Sequence, residues 1–292
     1  GASLSKMYIE NSYSLGNIYS ECESSSISGV AGNATHISNS YWYGESLSNE
    51  NWEGSIAGIT ANEETVMENC YYGIKSAKRY NAQEGSEETD GITDPFDGKG
   101  ATKLTAREFE AGKAAYLLDG GMPDGSGGVR MSKWSQDFGK GHPILKSGEP
   151  VYMITVSSEG GSVGIADRSF IETEDDKAEY FEISGQRVNI NAVPETEKHK
   201  LKSILAEDLD GNEIYKFDKN NAEDTEHKFT MPDSNIIISA KFELQETVTV
   251  KPNITGYPSG AVMRIGSAGS GEEYAANIDD EVEVSVEILH HP

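Results

Sequence analysis

Cysteine, basic residues and long apolar runs are all scarce in this chain. Of 292 residues only Cys22 and Cys70 are cysteines. Two are too few for the disulfide framework that staples small secreted domains. They also fall at non-equivalent positions of the repeats described below, so both are expected as free thiols. Lysine and arginine total 24 against 49 acidic residues, a formal net charge of −25. Nucleic acid and anionic lipid both require a positive face, so neither is an expected partner. The acidity reads as a solvated surface or, more sharply, as one that collects divalent cations. The best apolar run is Ala114 to Leu118, far short of the roughly 20 residues that span a bilayer. No membrane insertion by this chain is therefore expected. Hydrophobic residues make up only 36%, which points to thin cores rather than one large globule. No signal peptide is present, and Gly1 stands where a Met would. Gly1 reads as a cloning remnant, and the chain as a piece of a longer protein cut at both ends.

Glycine, in contrast, is abundant at 31 residues, and it punctuates an internal repeat. Ile9-Glu10-Asn11-Ser12-Tyr13-Ser14-Leu15-Gly16 returns as Ile37-Ser38-Asn39-Ser40-Tyr41-Trp42-Tyr43-Gly44, 28 residues later. It returns again, 30 residues on and one residue shorter, as Met67-Glu68-Asn69-Cys70-Tyr71-Tyr72-Gly73. Ser28 to Asn33 and Ser55 to Thr60 precede the second and third copies, so each period holds two short apolar strands among turn residues. Such a unit cannot bury an apolar face alone and must stack on its neighbours, as in a solenoid. Stacked strands about 4.8 Å apart would align Asn11, Asn39 and Asn69 into one ladder and Tyr13, Tyr41 and Tyr71 into another. Strand alternation puts Trp42 and Tyr72 on the face opposite the tyrosine ladder. Trp42 and Tyr72 are accordingly the better candidates for stacking on a sugar ring, and Tyr43 is a further one.

The run Gly29 to Gly44 resembles the GLUG motif of bacterial surface proteins, a Gly-Leu-Val-Gly-like strand followed by Ile-x-Asn-Ser-Tyr-x-x-Gly. The resemblance covers roughly residues 1–80, with Cys70 replacing the usual Ser. It implies a right-handed parallel β-helix of the kind found in adhesins, and it carries no catalytic residues. Beyond the acidic stretch Glu84 to Asp90, read as a loop, Thr105-Ala106-Arg107-Glu108 forms a capping box. One helix is expected from there, with Phe109, Ala114, Leu117 and Leu118 on its apolar face and Gly120-Gly121 as its stop. The segment from Trp134 to Phe138 and the His142 to Leu145 strand resemble the end of GLUG-type solenoids. Their expected task is to cover the unpaired backbone groups of the last rung.

From Val151 the texture becomes alternating β. An ungapped offset of 94 residues maps Ile154-Thr155-Val156 onto Val248-Thr249-Val250 and Tyr180 onto Tyr274. It also maps Ile171 onto Ile265, and Val188, Ile190 and Ala192 onto Val282, Val284 and Val286. Asp210-Gly211 is a hairpin signal between two strands. Gly160-Gly161-Ser162-Val163 early, and Phe229-Thr230-Met231-Pro232-Asp233 before the last strand, resemble a divergent internalin B-repeat. That resemblance implies a spacer or adhesive module.

The expected fold is therefore mainly β. Residues 1–80 form β-solenoid repeats, and 81–150 a loop, helix and cap. Residues 151–246 form a β-sandwich or β-grasp-like module, and 247–292 a truncated second copy. Chemistry is sparsely signalled. Asp208 and Asp210 are weak calcium candidates, because Gly211 stands fourth in Asp208 to Glu213, where a calcium loop of the EF-hand type needs it sixth. Asp124-Gly125-Ser126 has the wrong order for a serine nucleophile loop and no assignable His partner. No cofactor and no catalytic residue are expected. The first functional reading is a monomeric, extracellular stalk or adhesive segment that contacts a host or matrix glycan or protein. A carbohydrate-binding module using Trp42, Tyr43 and Tyr72 is the alternative. A β-helix enzyme that cleaves glycans with a carboxylate pair is the third.

Overall fold

The computed structural model describes residues 6–20, 27–32, 34–44, 47–49, 56–57, 59–60, 64–74, 79–80, 87–88, 100–126, 130–173, 177–219, 226–245, 247–250, 261–265, 274–277 and 284–288. Cys22, the glycine run from Gly266 and the terminal His290-His291 lie outside them. The fold is mainly β, with two short helices among the described residues.

The repeats stack in parallel at the spacing of the sequence. Strands Tyr8–Glu10, His36–Ser38 and Val66–Glu68 form one ladder, pairing Ile9 with Ile37 and Ile37 with Met67. Tyr13–Ser14, Tyr41–Gly44 and Cys70–Ile74 form a second, pairing Tyr13 with Tyr41 and Tyr41 with Tyr71. Ile18–Ser20 pairs with Leu47–Asn49, and Ile27–Ser28 with Ile56–Ala57, again in parallel. Each of the first two periods thus supplies four short strands among the described residues, where the sequence pattern suggests two. Glu87–Glu88, inside the stretch expected as a loop, pairs antiparallel with Arg79–Tyr80.

The corner between the first two ladders is a left-handed asparagine. Asn11, Asn39 and Asn69 have φ of 50°, 47° and 52°, a region that Asn enters more readily than most residues. The residue after each corner turns its side chain back onto the carbonyl two positions earlier. Ser12 and Ser40 donate to Glu10 and Ser38 at 3.1 and 2.7 Å, and the Cys70 thiol lies 3.4 Å from the Glu68 carbonyl. Cys70 therefore stands in for serine as a weak donor of similar shape. A further rung escapes the sequence pattern. Ala101–Lys103 pairs with Cys70 to Tyr72, which aligns Gly100 with Asn69. Gly100 also holds a left-handed φ of 97°, and a Cβ there would stand 2.0 Å from the Met67 carbonyl oxygen. Only glycine fits this last corner.

From that rung the chain crosses the second ladder as a helix pair. The Thr105 hydroxyl accepts from the Glu108 amide at 3.2 Å, and the Glu108 carboxylate accepts from the Thr105 amide at 2.8 Å. The capping box so formed starts α1, Ala106–Ala111. The expected single helix is in fact two, because Gly112 takes φ of 101° before α2, Lys113–Leu118. The αL turn closes α1 and re-aims α2. Phe109 stacks on Tyr43 with centroids 4.2 Å apart and planes 6° from parallel. Gln136, on the Trp134–Asp137 strand, donates to the Phe109 carbonyl at 2.9 Å and so caps the end of α1. That strand pairs antiparallel with His142–Leu145.

Two sheets follow. One has six strands in the order Ile171–Glu172, Ala178–Ile183, Val151–Glu159, Ile236–Leu244, His199–Asp208, Glu213–Asp218. The other has three, in the order Gly161–Ile165, Arg187–Pro194, His227–Thr230. Ile236–Leu244 alternates buried and exposed along most of its length, as a strand with one covered face must. Residues 1–157, 163–191 and 204–239 belong to one compact unit. Residues 158–162, 192–203 and 240–292 belong to a second. Within the first, Tyr41, Phe109, Leu117, Trp134, Val151, Met153 and Phe181 share one buried cluster. The expected boundary at residue 150 thus runs through a packed core. In the second unit, Thr247–Val250 pairs with Tyr274–Asn277 and Ala261–Ile265 with Val284–Ile288, both antiparallel. Gapless mapping of Ile171 onto Ile265 does not survive, since Ile171 pairs with Glu179 while Ile265 pairs with Val284.

Phe109 ties helix to ladder, so Phe109→Ala should lower stability by about 3–5 kcal/mol through the cavity it leaves. Urea unfolding followed by tryptophan fluorescence measures the loss.

Candidate functional site

The aromatic candidates are buried. Trp42, Tyr43 and Tyr72 are 0%, 1% and 2% exposed, so none is free to stack on a sugar. Alternation does separate them, but both faces of the strand are covered. Trp42 and Tyr72 sit in a cluster with Ile37, Ile59, Met67 and Cys70, and the Trp42 indole donates to the Gly16 carbonyl at 2.8 Å. Tyr43 faces the other way, onto Phe109. Alternation does not say what covers each face: the Trp42 and Tyr72 face packs on the Ile37 and Met67 ladder, and α1 and α2 cover the tyrosine face with Tyr43. Burial pushes the Tyr43 and Tyr71 hydroxyls up to about 12 from 10.0, and Tyr41 higher still. The Cys70 thiol is raised to about 11 by the same desolvation, which leaves it unreactive at neutral pH.

The calcium candidates form a turn. Asp208 Oδ1 accepts from the Asp210 and Asn212 amides at 3.0 and 2.8 Å, and Oδ2 accepts from the Asn212 side chain at 2.8 Å. The Asn212 side chain, then its backbone amide, hold the Asp208 carboxyl below its ordinary range. Among the described residues no group of three or more His, Cys, Asp or Glu side chains is placed to hold a metal ion. Asp124 and Ser126 likewise close a turn on each other, with both the Ser126 amide and hydroxyl donating to Asp124 Oδ1.

Asp208 and Asp210 nevertheless line a cleft of about 300 Å³ that the sequence did not single out. Tyr116, Ser126, Arg130, Tyr152, Leu209, Asp233, Ser234 and Asn235 complete its wall. Arg130 is its anchor. Its guanidinium lies 4.7 Å from the Tyr116 ring centre and 5.1 Å from that of Tyr152. It donates to the Tyr116 carbonyl at 2.9 Å and to the Val151 carbonyl. Its Nε stands 3.5 Å from Oδ2 of the fully buried Asp119. The other Asp119 oxygen accepts from the Lys133 and Trp134 amides at 2.8 and 3.1 Å. Burial pulls the Arg130 pKa down, with Asp119 opposing it, and raises the hydroxyls of Tyr116 and Tyr152. Asn235 completes the floor. It donates to the Tyr116 hydroxyl at 2.9 Å and the Gly125 carbonyl at 3.0 Å, and accepts from the Met153 amide at 2.9 Å. The Ser184 hydroxyl bonds Asp233 at the rim. The cleft offers carboxylates, a phenol and amides, with no His among its lining residues to serve a nucleophile. Its one sequence cue was an arginine beside a glycine-rich loop in an acidic chain.

Two outcomes follow from these environments. Below pH 10 the buried tyrosines are neutral in folded and unfolded chains alike. Between pH 10.0 and about 12 the folded state holds protons that the unfolded state releases, so stability falls as pH rises through that window. Phenolate absorbance against pH, beside circular dichroism, should show late ionisation coupled to unfolding. Asp119→Ala leaves Arg130 buried without its counter-charge and should cost about 3–5 kcal/mol in denaturant titrations.

Comparison of the chain with protein-family models, with curated proteins and with solved structures finds no match.

Proposed function

We propose that the chain is a structural and adhesive segment of a bacterial cell-surface or secreted protein, in which a short parallel β-helix of GLUG type runs into internalin B-repeat-like spacer modules. The observation that carries this reading is the buried cluster uniting the tyrosine ladder, the helix pair and the start of the β module. A segment that holds a contact surface at a distance has to pass load from one module to the next without a loose joint. The parallel ladders, the repeated corner and the acidic balance of 49 to 24 all suit an extended, well-solvated segment of this kind. Partners on this reading are glycans or proteins of a host or matrix, and the chain itself turns nothing over.

Antibody raised against the chain should label intact, unpermeabilised cells, and external protease should remove the label. The purified chain should release no reducing ends from polysaccharides. Retention inside the cell would overturn the reading. So would polysaccharide cleavage that disappears on substitution of one carboxylate.

A further inference from the structure

We infer that the outer edge of the first rung binds an extended strand of a partner protein, laid parallel to it. Tyr8–Glu10 and Tyr13–Ser14 each end their sheet, so both ladders stop at this rung among the described residues. The backbone direction there follows from the rung inside it. The His36 and Tyr41 amides donate toward the first rung, to the Met7 and Ser12 carbonyls at 3.2 and 3.0 Å. The Ser38 carbonyl accepts from the Asn11 amide at 3.1 Å. One rung out, the same register turns the Tyr8 and Tyr13 amides and the Glu10 carbonyl away from the stack. Each strand is short, but the two share one rung and offer these groups together.

A second observation lies in the side chains. Tyr13 stacks on Tyr41 with centroids 5.3 Å apart and planes 6° from parallel. Tyr41 and Tyr71 are 0% and 9% exposed, whereas Tyr13 is 42% exposed. Its inner face is covered and its outer face is bare. Met7 and Tyr8 are exposed on the same rung, and Asn11 Oδ1 is buried without a hydrogen-bond partner.

The contact that this edge lacks is made twice inside the chain, and those copies define what fits. The corner between the ladders, at φ near +50°, favours asparagine or glycine. Opposite Ile9 stands Ile37, and opposite Tyr13 stands Tyr41. The partner strand therefore reads apolar-x-Asn-x-aromatic, or the same with glycine at the corner. Main-chain bonds supply its affinity, and the apolar and aromatic positions its specificity. A second copy of this chain fits worse. Two such edges meeting head to head run antiparallel, and each copy brings a net charge of −25.

The inference goes beyond the adhesive reading and is tested on the isolated chain, wherever that chain resides. The probe is a fluorescein-labelled peptide of residues 34–44, which holds the strand that pairs with Tyr8–Glu10 from the inside. Titration with the purified full chain should raise its anisotropy to saturation. The reversed-order peptide, and the peptide carrying Ile37→Ser with Tyr41→Ser, should not bind. In the chain, Tyr8→Pro deletes an outward amide at the first position of an edge strand, where proline is tolerated. It should weaken binding about tenfold while leaving the thermal midpoint in place. Tyr13→Ala should weaken binding several-fold by removing the ring on which the incoming aromatic stacks. Absence of saturable binding at millimolar concentration overturns the inference, as does binding unchanged in both variants. So does dimerisation of the chain alone that Tyr8→Pro abolishes in analytical ultracentrifugation, which assigns the edge to a second copy.

Discussion

Three asparagines hold φ near +50° at the same corner of successive turns, and the N-terminal half of the molecule is arranged around them. An L-residue pays a steric penalty to sit there, which the short amide side chain of Asn tolerates best after Gly. The sharp bend separates the Ile9–Ile37–Met67 ladder from the Tyr13–Tyr41–Tyr71 ladder. It also leaves the asparagine side chains free to work along the stack. Asn69 donates to Asn39 at 2.8 Å, so part of the amide ladder expected from the repeat is present. The same Asn69 amide reaches the Leu117 and Leu118 carbonyls at 3.2 and 3.3 Å. Both carbonyls lie in the last turn of α2, and that of Leu117 also accepts from the Gly120 amide at 2.9 Å. One conformational requirement thus shapes the rung and fastens the helix to it.

Closing the stack is a hydrogen-bond problem as much as an apolar one. The helix pair brings its own unsatisfied ends to the ladder, and side chains from the neighbouring strands answer them. Gln136 serves α1, Asn69 serves α2, and Asp119 fixes the return strand through two amides. The Tyr41 hydroxyl donates to the Pro143 carbonyl at 2.6 Å, linking the second rung to the return hairpin. These bonds lie inside the apolar cluster, where an unmade one would cost most. They explain why the ladder, the helices and the strand from Val151 pack as a single core.

Much of this was legible in the residues. Repeat spacings of 28 and 30 translate directly into strand register, because parallel stacking pairs equivalent positions. Asp210-Gly211 marked its hairpin, Thr105 to Glu108 its cap, and the alternation after Ile236 its one-sided strand. The misses have physical reasons. Gly100 replaces the corner asparagine, so the Ala101–Lys103 rung lacked its marker although it obeys the same backbone rule. Alternation says that Trp42 and Tyr41 face apart, but not what covers each face, and here two different elements cover both. Gly112 is flanked by good helix formers, and only its backbone angle reveals the break. The Arg130 cleft gathers residues from 116 to 235, a closure that no local pattern announces.

The strand pairs of the second unit bear on how such modules diverge. In the first module Ile154 opposes Tyr180, whereas in the second Val250 opposes Tyr274. The offset that maps Tyr180 onto Tyr274 maps Ile154 onto Val248, so the pairing has moved by two residues. A shift of one would turn every side chain to the other face, and a shift of two preserves the faces. The stretch before Ala261–Ile265 is also longer than the one before Gly161–Ile165. Even so, once the two-residue strand Ile171–Glu172 is set aside, first strand pairs with third and second with fourth in both among the described residues. Constraint of this kind acts on alternation and strand order rather than on particular residues. A module under it can lose recognisable sequence while keeping its pairing.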